Sequence, residues 1–183
     1  MKALERRQFG DPILWRRAKT IAIEDIKSAK IQALIKNMSH TLATEKIGVG
    51  LAAPQVGKSL SLAVVRIRPL PHRAKVKPLD MVLINPEITE TFGRKKQVWE
   101  GCISAGHKNA GVFAKVPRHE TIKVKYYDQT GNLRQRKLTG LPAQVVQHEI
   151  DHLQGVLFVD RVKDTRSYMT YAEYVKRIRN KQQ

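Results

Sequence analysis

Cysteine is almost missing from this sequence. Cys102 is the only one in 183 residues, which excludes an intramolecular disulfide and any four-cysteine zinc module. Aromatic residues make up only 6%, and acidic residues number 16 against 34 Lys and Arg. No run approaches the ~20 apolar residues of a membrane-spanning helix. The opening Met1-Lys2-Ala3-Leu4-Glu5-Arg6-Arg7 lacks the apolar stretch of a secretory signal. These shortages predict a reduced protein of the cytoplasm or an organellar matrix, with no membrane partner. The 42% hydrophobic content over 183 residues excludes a wholly disordered chain and fits one globular domain, 1–183.

Basic charge is plentiful, with a formal net charge of +18. Such an excess attracts polyanions, of which RNA and DNA are the commonest. The charges are spread out: Arg66, Arg68, Arg73, Lys75 and Lys77; Arg94, Lys95 and Lys96; Arg134, Arg136 and Lys137; Lys176, Arg177, Arg179 and Lys181. No aromatic residues are interleaved with them in the manner of an RNA-binding sheet. Charge therefore speaks for a partner, not for a reaction.

Apolar spacing at Ile31, Leu34, Ile35, Met38 and Leu42 predicts a helix within about Ile23 to Thr44. Leu60 to Ile67 reads as a strand, and Met81 to Ile84 as another that ends at Asn85-Pro86. Thr121 to Tyr127 alternates apolar and basic residues, and Asp128 to Asn132 turns it back into Leu133 to Leu138 as a hairpin. Pro142 opens a helix that runs to about Leu153 and stops at Gly155, and a last helix covers about Thr170 to Arg179. Separate helices with antiparallel strands predict an α+β fold, the sheets packed around the helix that begins at Pro142.

That helix carries His148-Glu149-Ile150-Asp151-His152. At 3.6 residues per turn the two imidazoles stand one above the other and can share a transition-metal ion. Glu149 lies about 100° round the helix from His148, where a general base is expected. Two surface histidines on an amphipathic helix are the bland alternative. Val145, Val146, Ile150 and Leu153 oppose it, because they make the helix a buried one where unsatisfied imidazoles are costly.

A catalytic metal needs a third protein ligand. Cys102, within Glu100-Gly101-Cys102-Ile103-Ser104, is the candidate, since Gly101 lets backbone come close to an ion or substrate. Thiolate with two imidazoles suits zinc or ferrous iron and disfavours magnesium and calcium. His40, His72, His107 and His119 are rival ligands without a comparable setting. The segment Gly48 to Gly57 is glycine-rich and small enough for an extended peptide to pair with its backbone.

In order, Gly48 to Gln55, Glu100 to Ser104 and His148 to His152 resemble the three motifs of the peptide deformylase family, and the likeness runs through nearly the whole chain. The resemblance implies a metal-dependent hydrolase that removes the N-formyl group from the formyl-methionine of newly made polypeptides and releases formate. It implies Cys102, His148 and His152 as ligands to one divalent ion, ferrous iron natively with zinc, nickel or cobalt as substitutes. Glu149 becomes the proton shuttle, and the Gln55 amide and Ile103 N–H the donors to the developing oxyanion. Val49, Gly50 and Gly101 would hold the peptide, and Val98, Leu141 and Val145 the methionine side chain, with polar Gln144 beside them. The stretch 105–116 is longer than the family spacing. The basic C-terminal helix resembles one that docks relatives on the ribosome. A zinc endopeptidase sharing the His-Glu-x-x-His helix, or a non-catalytic ribosome- or RNA-binding relative, are the alternative readings.

Overall fold

The structure, a computed structural model, describes residues 1–45, 48–106 and 111–179. Strands β1 (Gly50–Ala52), β2 (Leu62–Ile67), β3 (Leu79–Gly101), β4 (Val112–Tyr127) and β5 (Leu133–Thr139) follow one another across an antiparallel sheet, and β6 (Met169–Thr170) pairs with β4. Helix α1 (Ala29–Thr44) precedes the sheet, α2 (Leu141–Leu153) follows β5, and α3 (Tyr171–Arg177) follows β6. The α+β class expected from the sequence is what is found.

Two-sided burial organises the strands. In β2, Ala63, Val65 and Ile67 face Val145, Val146, Ile150 and Leu153 of α2, while Leu62 and Val64 face Ile31, Ile35, Met38 and Leu42 of α1. Period-two alternation places these sets on opposite faces of one sheet, so each helix covers one side. A third, smaller cluster joins Ala105, Ala114, Val116 and Phe158, with Phe9, Val98 and Cys102 against it.

Asn85-Pro86 does not end a strand. Asn85 adopts φ 49° and ties its side chain to the backbone of Ile21, accepting from its N–H at 3.0 Å and donating to its carbonyl at 2.7 Å. The pairing with β4 slips one step between Ile84 and Glu87, so β3 bends at a bulge and continues to Gly101. That bend lets one 23-residue strand pair first with β2 and then with β4, and it delivers Glu100 and Gly101 to α2. The first helix also differs from expectation. Ile23–Asp25 is a single 3-10 turn, and α1 begins only where the Ser28 hydroxyl accepts from Ile31 N at 3.4 Å. The stretch 105–116 is not all loop, because β4 already begins at Val112; residues 107–110, with His107, lie outside the described residues. The last helix is shorter than expected, Tyr171–Arg177.

Candidate active site

Helix α2 starts at Gly140, where φ is 67°, has Pro142 in its first turn, and is apolar enough to be buried along most of its length. Its third and fourth turns therefore carry His148, Glu149 and His152 into the interior rather than out to water. Cys102 leaves the end of β3 opposite them. Its Sγ lies 3.2 Å from His152 Nε2, and one ligand atom from each of Cys102, His148 and His152 falls within 4.8 Å of the others. Among the described residues this is the one group of three metal-type side chains so gathered. His119 sits away from it on β4, its Nδ1 3.3 Å from the Gly93 carbonyl oxygen.

Behind the cluster is a charged network that sequence reasoning missed. Arg118 of β4 is 4% exposed and binds Glu100 through Nε at 2.8 Å and a second nitrogen at 2.9 Å. A third Arg118 nitrogen donates to Asp151 of α2 at 2.5 Å, and Arg161 binds the same aspartate at 2.6 Å. Glu100 in turn accepts from His148 Nδ1 at 3.0 Å. This fixes the ring and leaves His148 Nε2 for the cluster, an arrangement that raises the basicity of a metal-binding imidazole. Burial opposes charge on Glu100, but His148 and Arg118 outweigh it and hold the carboxyl at about 2. Burial likewise opposes charge on His148, yet Cys102 and Glu100 raise its proton affinity well above that of an ordinary imidazole. His152 goes the other way, lowered by burial and by His148. Glu100 and Asp151 stood inside the quoted motifs, a signal that was there to use; Arg118 is brought in only by the β3–β4 pairing.

Glu149 is 3% exposed, and burial, helped by the Glu100 charge and only partly offset by His148, pushes its carboxyl up to about 7. Its carboxyl group fills the space beside Gly50: a Cβ there would stand 2.1 Å from Oε1. Any side chain at position 50 would take the carboxylate's place. Glu149 Oε2 and His152 Nδ1 are buried without a hydrogen-bond partner among the described residues. Soft sulfur, two imidazoles and an orphaned buried carboxylate form a donor set that fits a divalent transition metal and a reacting water.

The remaining predicted residues surround a groove of about 580 Å³ lined by Val49, Gly50, Gln55, Val98, Gly101, Cys102, Ile103, Leu141, Val145, His148 and Glu149. Gln55 accepts from Ala52 N at 2.8 Å and donates to Ser104 Oγ at 3.1 Å and Cys102 Sγ at 3.4 Å, which aims its amide at the thiol. The Ile103 carbonyl is held by Arg6 at 2.7 Å. Strand β1 is an edge: Val49 gives its carbonyl to Arg66 N at 2.9 Å, so alternation turns the N–H and C=O of Gly50 to the open side. Gln144 lines the groove too, and its polarity is used in donating to the Trp99 carbonyl at 2.8 Å. Arg6, Arg73, Phe113, Tyr171, Tyr174 and Arg179 share the lining and were not foreseen there.

Comparison with known proteins agrees in sequence and in fold. The family profile described as polypeptide deformylase matches residues 4–168. Peptide deformylase 2 of Nostoc sp. PCC 7120 is 42% identical over 170 residues, 91% of this chain and 90% of that protein. The peptide deformylase of Aquifex aeolicus is 39% identical, over 86% of this chain and 88% of its own. Among solved structures, a class I type b peptide deformylase from Acinetobacter baumannii bound to Met-Ala-Ser superposes with a TM-score of 0.80 at 34% identity, over 88% of this chain and 99% of that one. One from Synechococcus elongatus in complex with actinonin gives 0.75 at 36% identity, over 94% and 84%.

Proposed function

This chain belongs to the polypeptide deformylase family, and from that membership we propose that Cys102, His148 and His152 hold one divalent ion beside Glu149 as proton carrier. The protein is a metal-dependent hydrolase that removes the N-formyl group from newly made polypeptides. Hydrolysis of the formyl-methionine amide gives formate and a free amino terminus. The observation that carries the residue assignment is the gathering of the three ligand atoms within 4.8 Å next to a buried, unpaired Glu149 carboxylate.

A divalent ion so held supplies Lewis-acid chemistry, lowering the pKa of a water from 15.7 towards ~7. Glu149 takes the proton of the attacking water and returns it to the departing amine nitrogen, tasks suited to a carboxyl at about 7. The Gln55 amide and the Ile103 N–H donate to the formyl oxygen as it gains negative charge. The open edge at Gly50 pairs with the extended peptide beside Gly101, whose missing side chain makes room for the Phe113 ring, and Val98, Leu141 and Val145 receive its first side chain. Ferrous iron is the resident metal in this reading, with zinc, nickel or cobalt able to replace it, since thiolate and imidazole accept all four.

The working location is the bacterial cytoplasm or an organellar matrix, with 1–183 acting as one catalytic domain. Ribosome contact falls to the exposed Lys176 and Arg177 of α3; phosphate contacts there would make co-sedimentation fall steeply with salt. Anaerobic metal analysis with formate release from formyl-Met-Ala-Ser measured for each ion tests the whole reading. Formate should appear with the peptide otherwise intact, fastest per bound ion with iron. Cleavage of an internal bond instead would reinstate the endopeptidase alternative.

A further inference from the structure

The C-terminal segment is built into the groove rather than trailing from it. Strand β6 pairs Thr170 with Val112 and Met169 with Phe113, and Tyr171 N donates to the Gly111 carbonyl at 2.8 Å. Phe113 lies against Gly101, where a Cβ would stand 2.7 Å from its ring. The same ring is stacked on Tyr174 with centroids 4.1 Å apart and planes 10° from parallel, and Trp99 meets Tyr174 at 5.9 Å. Backbone next to Cys102 is thus connected through two rings to α3.

Two guanidiniums stand at this end of the groove. Arg73, from the connection between β2 and β3, and Arg179, just past α3, line the cavity with Tyr174, and both act on its phenol. Arg179 donates to the Tyr171 hydroxyl at 2.8 Å, and Arg73 donates to the Arg68 carbonyl at 3.2 Å. Among the described residues neither meets a carboxylate, because Glu45 and Glu100 of the same lining are taken by Arg6 and Arg118. Burial draws the Arg73 guanidinium below its ordinary value. Cations drawn partly out of water and lacking a counter-ion favour an incoming anion.

We propose that α3 forms a wall of the peptide groove and that Arg73 and Arg179 select an acidic side chain downstream of the formylated residue. The proposal rests on the deformylase reading. Rings at Phe113, Trp99 and Tyr174 supply contact area that is indifferent to sequence, and the two arginines supply the preference. A lysine in the peptide would meet like charge at the same place.

The test compares amidated formyl-Met-Ala-Glu-Glu with amidated formyl-Met-Ala-Lys-Lys, so that no terminal carboxylate competes, using the metal-loaded full chain. Amidated formyl-Met-Ala serves as the reference. The acidic peptide should be favoured in kcat/KM by about tenfold at low salt, and the ratio should shrink in about 0.5 M salt as screening grows. R73Q together with R179Q should bring the ratio to about one, and R73K with R179K should keep most of it. R73Q and R179Q taken singly should each lower the ratio part of the way, a test that stands if the double variant misfolds. An equal rate on both peptides, or a preference that survives the glutamine pair, overturns the proposal and leaves the deformylase reading intact. No formate from any peptide, the reference included, overturns both.

Discussion

On the α2 side of the groove the charges behind the ligand cluster are bonded to one another: buried Arg118 is shared between Glu100 and Asp151, and Glu100 steadies His148. On the α3 side the contacts are rings against rings, and the tyrosines are only half-buried. A network of buried ions tolerates few geometries, since each unpaired member would cost several kcal/mol. Stacked rings can slide at small cost. The first wall suits groups that must hold an ion and a proton within tenths of an ångström. The second suits a surface that must accept many peptides.

The largest effect should come from the one acid of the rigid wall that has no partner. Glu149→Ala should lower kcat for formate release by about 10²–10⁴, with the metal content of the purified protein unchanged. The rate of the unsubstituted chain should rise with pH as the Glu149 carboxyl ionises. Burial raises that carboxyl to about 7, and a bound cation can only pull it down, so the acidic limb should lie in the window below about 7. A flat profile across that window would remove Glu149 as base.

Arg118→Met should cost about 3–5 kcal/mol of stability in urea unfolding, because it strands Glu100 and Asp151 in the interior. Removing all three charges together, with Glu100→Gln and Asp151→Asn added, should recover part of the loss. Without such recovery, the network would not be the source of the rigidity. Gln55→Ala should come next, reducing kcat by about 10²–10³ with KM little changed. A rise in KM alone would make Gln55 a ground-state contact.

The two walls were unequally legible in the sequence. Helical spacing on α2 announced a buried helix whose polar His148, Glu149 and His152 had to be there for chemistry, and Cys102 stood out as the third ligand a metal needs. The partners that hold them did not. Arg118 looked like one more positive charge among 34 basic residues, and nothing local says that β3 runs past Asn85-Pro86 to bring Glu100 beside it. Pro in a strand ordinarily marks an end; here the bulge and the Asn85 side chain make it a bend. Along α3 the sequence predicts a helix but not what its tyrosines meet, because the rings against Tyr171 and Tyr174, Trp99 and Phe113, come from β3 and β4. Periodicity reports that a face is covered, and long-range pairing decides by what.

The smallest expected effect tests the softer wall. Tyr174→Ala removes the stack on Phe113 and the contact with Trp99, worth about 0.5–1.5 kcal/mol beyond the area lost. Since α3 is seven residues long and follows a two-residue strand, that loss should appear as local opening and not as global unfolding. Hydrogen exchange at the Tyr171 amide, bonded to Gly111, should accelerate roughly three- to tenfold, while the unfolding midpoint stays within a few degrees. The same substitution should raise KM for longer peptides more than for formyl-Met-Ala amide, because only they extend to α3. A large fall in the midpoint would mean that α3 is held as firmly as α2, and the contrast between the two walls would then be one of chemistry alone.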